Sequence, residues 1–373
     1  MLVGVMSAQT IYLNHAGTSW PKPPSVIKAV QDAMIGSPNQ WGEHFARAHL
    51  AIADYFNVPD PEQLLLTPGC TSSLAVGMSD IDLVGRKRVL TSAWEHHALH
   101  RPLLKLSASG INVDYIPPST ESPLDLNKLE EELMKGDVGL VAITAAANVT
   151  GDLLPFQEAI ALAHQHNAQA LVDAAQVVGW LDLDFAALEA DLIAFGGHKG
   201  LQGPWGIGGL YIGDGARLNC SSASCELPSS NQSPRPGYCD VGSVDQVALA
   251  GLHAAVDWLS DIDRTTALET ARKQTARLES AVNDTGARCV SIQGQAERMP
   301  TVAFSVDGRT SSDVAAALKS VGIIAGSGLQ CARLAHQTVG TENQGLVRLS
   351  VGIGQDDFEI KSAADLISEV LAN

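Results

Sequence analysis

The sequence predicts an α/β protein, with a large domain around a mainly parallel seven-stranded sheet and a smaller α+β domain after it. Three observations carry this prediction. Short apolar runs alternate with amphipathic stretches from about residue 62 to residue 214, as in a parallel sheet with helices on both faces. A Ser- and Pro-rich stretch then interrupts the alternation, and a second set of helices and strands follows. The length of 373 residues exceeds that of one ordinary core and fits two domains.

Seven apolar runs supply the strands of the large domain. Each is short and bounded by Gly, Pro or polar residues, as expected for buried strands. Helical patterns separate several of them, for example over residues 123–136 and 155–167. On such a sheet, ligands bind at the carboxyl ends of the strands. The runs are QLLLTPG (63–69), RVLTSA (88–93), INVDYI (111–116), VGLVAITAA (138–146), QALVDAA (169–175), DLIAFGG (191–197) and GGLYIG (208–213).

The C-terminal part of the chain begins with an irregular segment. Residues 219–239 are rich in Ser and Pro, which predicts a loop or lid. Residues 243–262 then show the pattern of a long helix that leaves the large domain. Further helices are expected over about 265–284 and over 357–372, and strands over 301–308 and 345–352. We therefore expect an N-terminal segment (1–20) that packs at the ligand site and the small domain, a large domain (21–256) and a small domain (257–373).

Composition argues against several classes of function. The net charge of −17 disfavours nucleic acid and anionic membranes, because the basic footprint that such partners require is missing. No apolar run approaches the roughly 20 residues that span a bilayer. Residues 1–13 lack the charged region and cleavage site of a signal peptide, so we expect a cytoplasmic protein. The cysteines lack CxxC spacing, which fits reduced thiols better than disulfides or a zinc site. They are Cys70, Cys220, Cys225, Cys239, Cys289 and Cys331.

One lysine lies among glycines at the end of a predicted strand. The stretch DLIAFGGHKGLQGPWG (191–206) starts as a buried strand and continues as a loop that contains Lys199. Burial there would lower the pKa of the amine and make it nucleophilic. Asp173 ends another apolar strand. The pair suits pyridoxal phosphate, because the lysine forms a Schiff base and the carboxylate keeps the pyridine nitrogen protonated. A surface turn at Lys199 and a simple ion pair are the structural alternatives.

This cofactor also needs a phosphate site and a contact for its ring. TPGCTSSL (67–74) places Gly before small hydroxyl residues at the start of a helix. Helix amides with the Thr71 and Ser72 hydroxyls can bind an anion, although an ordinary N-cap has the same pattern. In WEHHALH, His96 lies at a strand end and suits stacking on the ring. His96 and His100 are also spaced like metal ligands, but no third ligand lies nearby in sequence, so we predict no metal site.

These ordered motifs resemble the class V aminotransferase family of pyridoxal-phosphate enzymes, which has fold type I, over nearly the whole chain. DAAQ and GGHKGLQGPWGIGGLY carry the resemblance. IYLNHAGTSWPKP resembles the opening YLDNAATS pattern of the family, GCTSSL its phosphate-loop GATE, EHHA its EHNA, ANVTG its SNVTG and DVGSVD its E-x-GTPN. GSGLQCARLAH with GLVRLSVG resembles the cysteine desulfurase branch, in which a mobile loop carries a nucleophilic cysteine ahead of a carboxylate-binding arginine.

The resemblance implies a role for each matching residue. Lys199 would form the Schiff base and shuttle protons, His96 would stack on the ring, and Asp173 would pair with the pyridine nitrogen. Cys331 would attack the substrate sulfur. Arg348 would bind the substrate carboxylate in the bidentate geometry that a guanidinium allows. Thr71, His198 and Ser243 of the partner subunit would bind the phosphate, and Cys70 would belong to the phosphate loop. Gln176 and Asn148 would contact the phenolic oxygen of the cofactor. Ala16, Gly17 and Asn148 would contact the substrate.

Several positions depart from the family pattern. Gly196 stands where Ser or Thr usually precedes GHK, which removes one phosphate hydrogen bond. Ala147 stands where Ser precedes NV, and Cys70 replaces the alanine of the phosphate loop. Leu329 and Gln330 precede the cysteine in place of the His-His of one desulfurase group, and SVGIGQDD lacks the usual YNT. These departures affect the expected substrate and partner more than they affect the expected binding of the cofactor.

The sequence therefore predicts a cysteine desulfurase-like enzyme that converts L-cysteine to L-alanine and leaves a persulfide on Cys331. The segment AGSGLQC around this residue indicates a mobile thiol, whereas an inert buried thiol is the structural alternative. Other chemistries with the same cofactor are β-elimination from cysteine or cystine, selenocysteine cleavage and transamination, in which Cys331 need not act. A catalytically silent sulfur-relay or binding protein is the non-enzyme alternative. We also expect a homodimer and a sulfur-acceptor protein.

Overall fold

The computed structural model describes residues 10–83, 85–219, 225–226, 237–238, 243–294 and 297–372. The predicted lid over 219–239 lies almost entirely outside these residues. No helix in the described ranges is long and apolar enough to cross a bilayer.

The first 260 residues contain the elements that were expected from the alternating pattern. The strands are β1 (Ile11–Leu13), β2 (Leu64–Thr67), β3 (Arg88–Ser92), β4 (Asn112–Ile116), β5 (Val138–Thr144), β6 (Gln169–Asp173), β7 (Leu192–Gly196), β8 (Gly208–Ile212), β9 (Cys225–Glu226) and β10 (Gly237–Tyr238). The helices are α1 (Pro24–Ile35), α2 (Trp41–Tyr55), α3 (Cys70–Asp80), α4 (His97–Ala108), α5 (Leu126–Met134), α6 (Phe156–Gln165) and α7 (Gln246–Ser260).

The prediction of a mainly parallel seven-stranded sheet is confirmed. The strand order is β2-β8-β7-β6-β5-β3-β4. All neighbours pair in parallel except β8, which is antiparallel to both β7 and β2. β5, β6 and β7 are buried along their whole length, which explains why their sequences are continuous apolar runs and not alternating ones.

Helices cover both faces of this sheet. On one face Leu171 of β6 packs in a cluster with Leu74 of α3 and Leu99 of α4. The next residue, Val172, belongs to the cluster on the other face, which contains residues of α6 and α7 such as Leu252. Successive strand residues point to opposite faces, so this single strand links the two cores and has no solvent-exposed side.

The remainder of the chain forms a smaller group of elements. They are α8 (Arg264–Asn283), β11 (Arg288–Cys289), β12 (Thr301–Ser305), α9 (Ser311–Ser320), β13 (Ile323–Ala325), α10 (Arg333–Val339), β14 (Val347–Ser350) and α11 (Asp357–Ala372). β11, β12 and β14 form an antiparallel sheet. The predicted long helices α7, α8 and α11 and the predicted strands β12 and β14 are all present.

The N-terminal segment joins the C-terminal elements. β1 pairs in parallel with β13, and Asn14 forms a further bridge with Ser350. The pairing draws the segment that follows β1 across the end of the large sheet. The domain boundaries at residues 20 and 256 stay predictions.

Some elements had not been anticipated from the sequence. α1 and α2 were missed because apolar side chains on them are exposed and blur the amphipathic pattern, as for Met34 (71% exposed) and Ile35 (86% exposed). β1 and β13 have three residues each, too few to show a period.

An aromatic cluster supports β7, which leads to Lys199. The rings of Phe56 and Phe185 stack with centroids 4.1 Å apart, and Phe195 of β7 lies 4.9 Å from Phe56. All three side chains are almost fully buried.

We predict that Phe185→Ala lowers the free energy of unfolding by about 3–5 kcal/mol, because it removes a buried ring and leaves a cavity. The matched control is Phe358→Ala, since Phe358 is 75% exposed and its loss should change stability by less than about 0.5 kcal/mol. Urea denaturation followed by circular dichroism measures both. Equal midpoints for the two variants would contradict this packing.

Candidate active site

A cavity of about 590 Å³ opens at the carboxyl ends of the central strands. Thr144, Asp173 and Gly196, the last residues of β5, β6 and β7, line it. This is where a ligand was expected on a parallel sheet. All sequence-predicted site residues except Ser243 line it as well: Ala16, Gly17, Cys70, Thr71, His96, Asn148, Asp173, Gln176, His198, Lys199, Cys331 and Arg348.

Lys199 and Asp173 form the charged centre of the cavity. Asp173 is 3% exposed, and its Oδ1 accepts hydrogen bonds from the Ala175 amide (3.0 Å) and the Cys70 thiol (3.3 Å). Burial lowers the pKa of the Lys199 amine from its usual 10.5, and the charge of Asp173 offsets part of this effect. More of the amine is therefore neutral and nucleophilic at a given pH than in a solvated lysine.

The N-terminus of α3 provides an anion site. Gly69 precedes the helix with φ +146°, a conformation that side chains rarely allow, and no side chain caps the helix. Gly69, Cys70, Thr71 and Ser72 all line the cavity. Uncapped amides at a helix start attract anions, so this end of the cavity fits a phosphate.

His198 borders the same cavity. Its ring stacks with Trp205 at 6.2 Å, and its Nδ1 is buried without a hydrogen-bond partner among the described residues. Burial, followed by the charges of Lys199 and Lys22, lowers its pKa to about 4. Nδ1 of the neutral ring is therefore free to bond to a ligand in the cavity.

His96 presents a neutral ring to the cavity. It is the N-cap of α4, and its Nδ1 accepts the Ala98 amide at 3.1 Å. Burial, followed by the charge of Lys199, lowers its pKa to about 4. An uncharged, fixed ring is suited to stacking on another ring. His100, by contrast, contacts Tyr115 edge-on, and the described residues contain no cluster of three or more His, Cys, Asp or Glu side chains that would hold a metal.

Arg348 is a buried cation without a counter-charge. It is 4% exposed, and it makes no ion pair with any described residue. Its guanidinium donates to the Asn148 carbonyl (2.6 Å) and to Oδ1 of Asn14 (2.8 Å), and its Nε has no hydrogen-bond partner within the described part of the chain. A Cβ at Gly17 would lie 3.2 Å from this guanidinium, so glycine keeps the space open. Burying an unpaired charge is costly, and an incoming carboxylate would relieve that cost.

Cys331 lies at the mouth of the cavity, and its side chain is exposed. The thiol is therefore not buried, as the structural alternative would require, and its reactivity stays a prediction. The loop around it is held at several points: Asn148 Nδ2 donates to the Gln330 carbonyl (2.8 Å), and the His97 amide donates to the Cys331 carbonyl (2.7 Å). Both Gln330 (φ +42°) and Cys331 (φ +58°) are left-handed, a strained conformation that surrounding contacts must maintain. Hydrogen bonds thus hold the turn in this conformation, and the mobility that the sequence suggested stays a prediction.

Two of the expected site residues, Gln176 and Ser243, have surroundings that the sequence did not indicate. Gln176, expected near the cofactor oxygen, lines the cavity and also donates to the carbonyl of Ala16 at 3.1 Å. Ser243 is exposed and does not line the cavity of its own subunit. Its contribution to the site of a second subunit stays a prediction.

The space around Gly196 would admit a larger residue. A Cβ at this position would lie 3.5 Å from the Cys70 Cβ, which is an ordinary contact. Sterically, the serine or threonine of the family pattern would fit. Glycine at this position therefore removes a hydroxyl from the phosphate end of the cavity without a packing reason that we can identify.

Several residues of the site were not expected from the sequence. Asn14 and Gln330 hold Arg348 and the Cys331 turn, and Lys22 donates to the His198 carbonyl at 2.9 Å. Glu95 lies buried below the cavity, where it accepts hydrogen bonds from the Ser92 hydroxyl and the Thr144 amide, and burial raises its pKa to about 8. Asn14 and Lys22 lie within the IYLNHAGTSWPKP motif (11–23), which was the available signal.

Comparison with known proteins agrees with this geometry. The sequence profile of Aminotransferase class-V matches residues 11–362. The chain belongs to the class-V aminotransferase family. It is therefore a pyridoxal-phosphate-dependent enzyme of fold type I, as the sequence motifs predicted.

Individual relatives are similar over most of their length. A probable cysteine desulfurase of Chlamydia muridarum is 29% identical over 97% of this chain and 94% of its own. A cysteine desulfurase of Cronobacter sakazakii is 30% identical over 75% of this chain and 71% of its own. Among solved structures, a cysteine desulfurase of Thermococcus onnurineus NA1 has a TM-score of 0.86 at 23% identity, covering 97% of this chain and 94% of that one. At that identity the likeness establishes the shared fold.

We predict that pyridoxal phosphate is attached to Lys199. Lys199→Ala should abolish the absorbance of the bound cofactor, whereas Lys361→Ala, which changes an exposed lysine of α11, should retain it. Borohydride reduction of the parent protein followed by peptide mapping identifies the attachment site. Finding the reduced cofactor on Lys22, whose pKa burial lowers to about 8, would contradict the assignment.

Proposed function

We propose that this enzyme is a cysteine desulfurase that converts L-cysteine to L-alanine and takes up the sulfur on Cys331. One observation carries the proposal: an exposed thiol and an unpaired buried arginine border the same cavity as Lys199 and Asp173. The first can accept sulfur and the second can bind an amino-acid carboxylate. The names of the relatives from Chlamydia muridarum and Cronobacter sakazakii support the same reaction.

The residues that line the cavity fit pyridoxal phosphate. Lys199 would carry it, and Asp173 would pair with its pyridine nitrogen. His96 would face its ring, while Gln176 and Asn148, whose Oδ1 is buried without a partner, would lie near its phenolic oxygen. The phosphate would bind at the start of α3 through Cys70, Thr71 and His198, together with Ser243 of the partner subunit. Bound there, the cofactor would supply an electron sink for charge that develops on the substrate.

Arg348 would position the substrate. Two of its donors are already occupied by Asn148 and Asn14, so the guanidinium is fixed while its Nε stays available. A carboxylate bound there would neutralise the buried charge, which strengthens the interaction over one with a solvated arginine. Ala16 and Gly17 border the same space and keep it small.

Lys199 would move the protons. Burial keeps a fraction of its amine neutral, and in this form its Nζ can remove the α-proton of the substrate. Cys331 thiolate would then bond to the substrate sulfur as the bond from that sulfur to Cβ breaks. The electron pair of the broken bond stays with the carbon skeleton, which takes up two protons, one at Cα and one at Cβ, and leaves as alanine. The Lys199 ammonium returns the α-proton, and the second proton is the one that the substrate thiol gives up as its sulfur is transferred. Cys331 retains the transferred sulfur as a persulfide.

The alternative chemistries are less well supported by this geometry. β-Elimination, selenocysteine cleavage and transamination do not require a thiol at the cavity, yet the exposed side chain of Cys331 lies there. A silent binding protein would not require a lysine with a lowered pKa beside a buried carboxylate.

We predict that Cys331→Ser retains the absorbance of the bound cofactor but loses alanine formation from L-cysteine by orders of magnitude, because a hydroxyl is a much weaker nucleophile toward sulfur than a thiolate. Alanine, pyruvate and sulfide are measured in parallel. Cys289→Ser is the matched control, since burial raises the pKa of that thiol to about 12. Equal alanine formation by Cys331→Ser would overturn the proposal, and pyruvate from both proteins would favour a β-elimination lyase.

We also propose that the active unit is a homodimer, with Ser243 completing the phosphate site of the other subunit. Its exposure and its position outside its own cavity support this. We therefore expect Ser243→Ala to weaken cofactor retention, and we expect cofactor loss to accompany dissociation when the protein is diluted. Sedimentation with detection at the cofactor absorbance follows both. A monomer that retains its cofactor fully would contradict the proposal.

A further inference from the structure

Two arginines lie beside the exposed thiol of Cys331. Arg333 is the first residue of α10, two positions after Cys331. His97, the first residue of α4, donates its amide to the Cys331 carbonyl at 2.7 Å, and Arg101 follows one turn later on the same helix. Burial, and then the charges of both arginines, lower the pKa of the His97 imidazole. Both guanidiniums therefore act on one imidazole, and the backbone amide of the same residue is bonded to Cys331.

Both arginines are exposed, and neither makes a hydrogen bond or an ion pair with another described residue. They contrast with the molecule as a whole, whose 41 acidic and 24 basic residues give a net charge of −17. A local surplus of free positive charge on an acidic protein attracts anions and excludes cations from one place. Here that place is the mouth of the cavity.

The surface beside the arginines also has an apolar part. Leu104 is 51% exposed, and it lies three residues after Arg101, on the same side of α4. Lys105 is exposed beside it. Arginine is enriched in protein–protein interfaces relative to the rest of the surface, whereas a small thiol would need only access to Cys331.

We propose that the arginine rim, formed by Arg101, Arg333 and Leu104, docks a partner protein whose acceptor cysteine is flanked by carboxylates. This inference rests on the proposed function, since it identifies the chemistry of the acceptor for sulfur held on Cys331. In the transfer, the acceptor thiolate attacks the outer sulfur of the Cys331 persulfide. A new S–S bond forms on the acceptor, the old one breaks, and Cys331 leaves as thiolate, so no further oxidant or reductant is needed.

A disulfide-exchange experiment tests the rim without relying on desulfurase activity. Two acetylated tripeptide amides, Glu-Cys-Glu and Gln-Cys-Gln, are activated as thiopyridyl disulfides and mixed with the holoenzyme, and thiopyridone release is measured. Rates are normalised to the reaction of each peptide with 2-mercaptoethanol. The Cys331→Ser protein supplies the background from other thiols.

We expect the acidic peptide to react about fivefold faster than the neutral one at low salt. The preference should vanish at about 500 mM NaCl, where exposed charges are screened. It should also vanish in the double variant Arg101→Gln/Arg333→Gln but persist in the charge-matched control Arg47→Gln/Arg288→Gln, which changes exposed arginines of α2 and β11. The proposed role of the arginine rim would be wrong if both peptides reacted at equal rates with the parent protein. It would also be wrong if the Arg101→Gln/Arg333→Gln variant kept an undiminished preference for the acidic peptide.

Persulfide transfer to the same peptides, used as free thiols after loading with L-cysteine, separates the two proposals. A preference for the acidic peptide in both experiments supports the rim and the desulfurase reaction. A preference in disulfide exchange without any persulfide on Cys331 would overturn the proposed function and leave the electrostatic rim intact. Persulfide formation with no peptide preference would overturn the rim alone.

Discussion

The placement of Lys199 and Asp173 at the ends of two adjacent strands is the constraint on which the rest of the site depends. Asp173 is buried, and its charge offsets part of the effect that burial has on the pKa of the Lys199 amine. The sheet brings them together because β6 and β7 are parallel and adjacent, with Asp173 paired to Ala194 in register. Both strands are buried on each face, so their ends cannot shift independently. The glycine-rich turn after β7 then has only to return Lys199 toward the cavity.

The N-terminal segment fixes the other side of this centre. The carbonyl of His198, immediately before Lys199, accepts hydrogen bonds from Thr18, Ser19 and Lys22. The same segment carries Asn14, which holds Arg348. Residues close to both ends of the chain therefore control the position of the lysine and of the carboxylate-binding arginine. Loosening the pairing of β1 with β13 should affect cofactor attachment and substrate binding together.

The sequence predicted the architecture of the sheet well, because six of its seven strands are buried along nearly their whole length and leave an apolar pattern; the edge strand β4 is mostly exposed or half-buried. It also identified Lys199 and Asp173 as neighbours, since ligands bind at the carboxyl ends of strands on such a sheet. The place of Cys331 beside them was expected from the family resemblance. It did not predict the left-handed turn at Cys331. The hydrogen bonds from Asn148 and His97 that hold this turn are long-range contacts, which leave no signal in the local sequence. Local sequence showed glycine and serine, and tertiary contacts determined the conformation.

The same limit applies to residues that act through others. Nothing local distinguishes Glu95 from an ordinary surface glutamate, yet it is buried below the cavity with its carboxylate bonded to Ser92 and Thr144. Arg101 and Arg333 are far apart in sequence and lie on one side of the cavity only because α4 and α10 both begin near Cys331. The structure shows which residues far apart in sequence lie close together in space, and the sequence alone does not.

The central claim is that one cavity both cleaves the carbon–sulfur bond and retains the sulfur on Cys331. The most direct measurement mixes the holoenzyme with a few equivalents of L-cysteine, with and without a reductant, and determines alanine together with the mass of the Cys331 peptide. Without reductant, we predict that alanine formation stops near one equivalent per subunit while the peptide gains a sulfur atom. With reductant, alanine should continue to form and the peptide should return to its original mass. Pyruvate in place of alanine, or sustained turnover with an unmodified Cys331 peptide, would contradict the account.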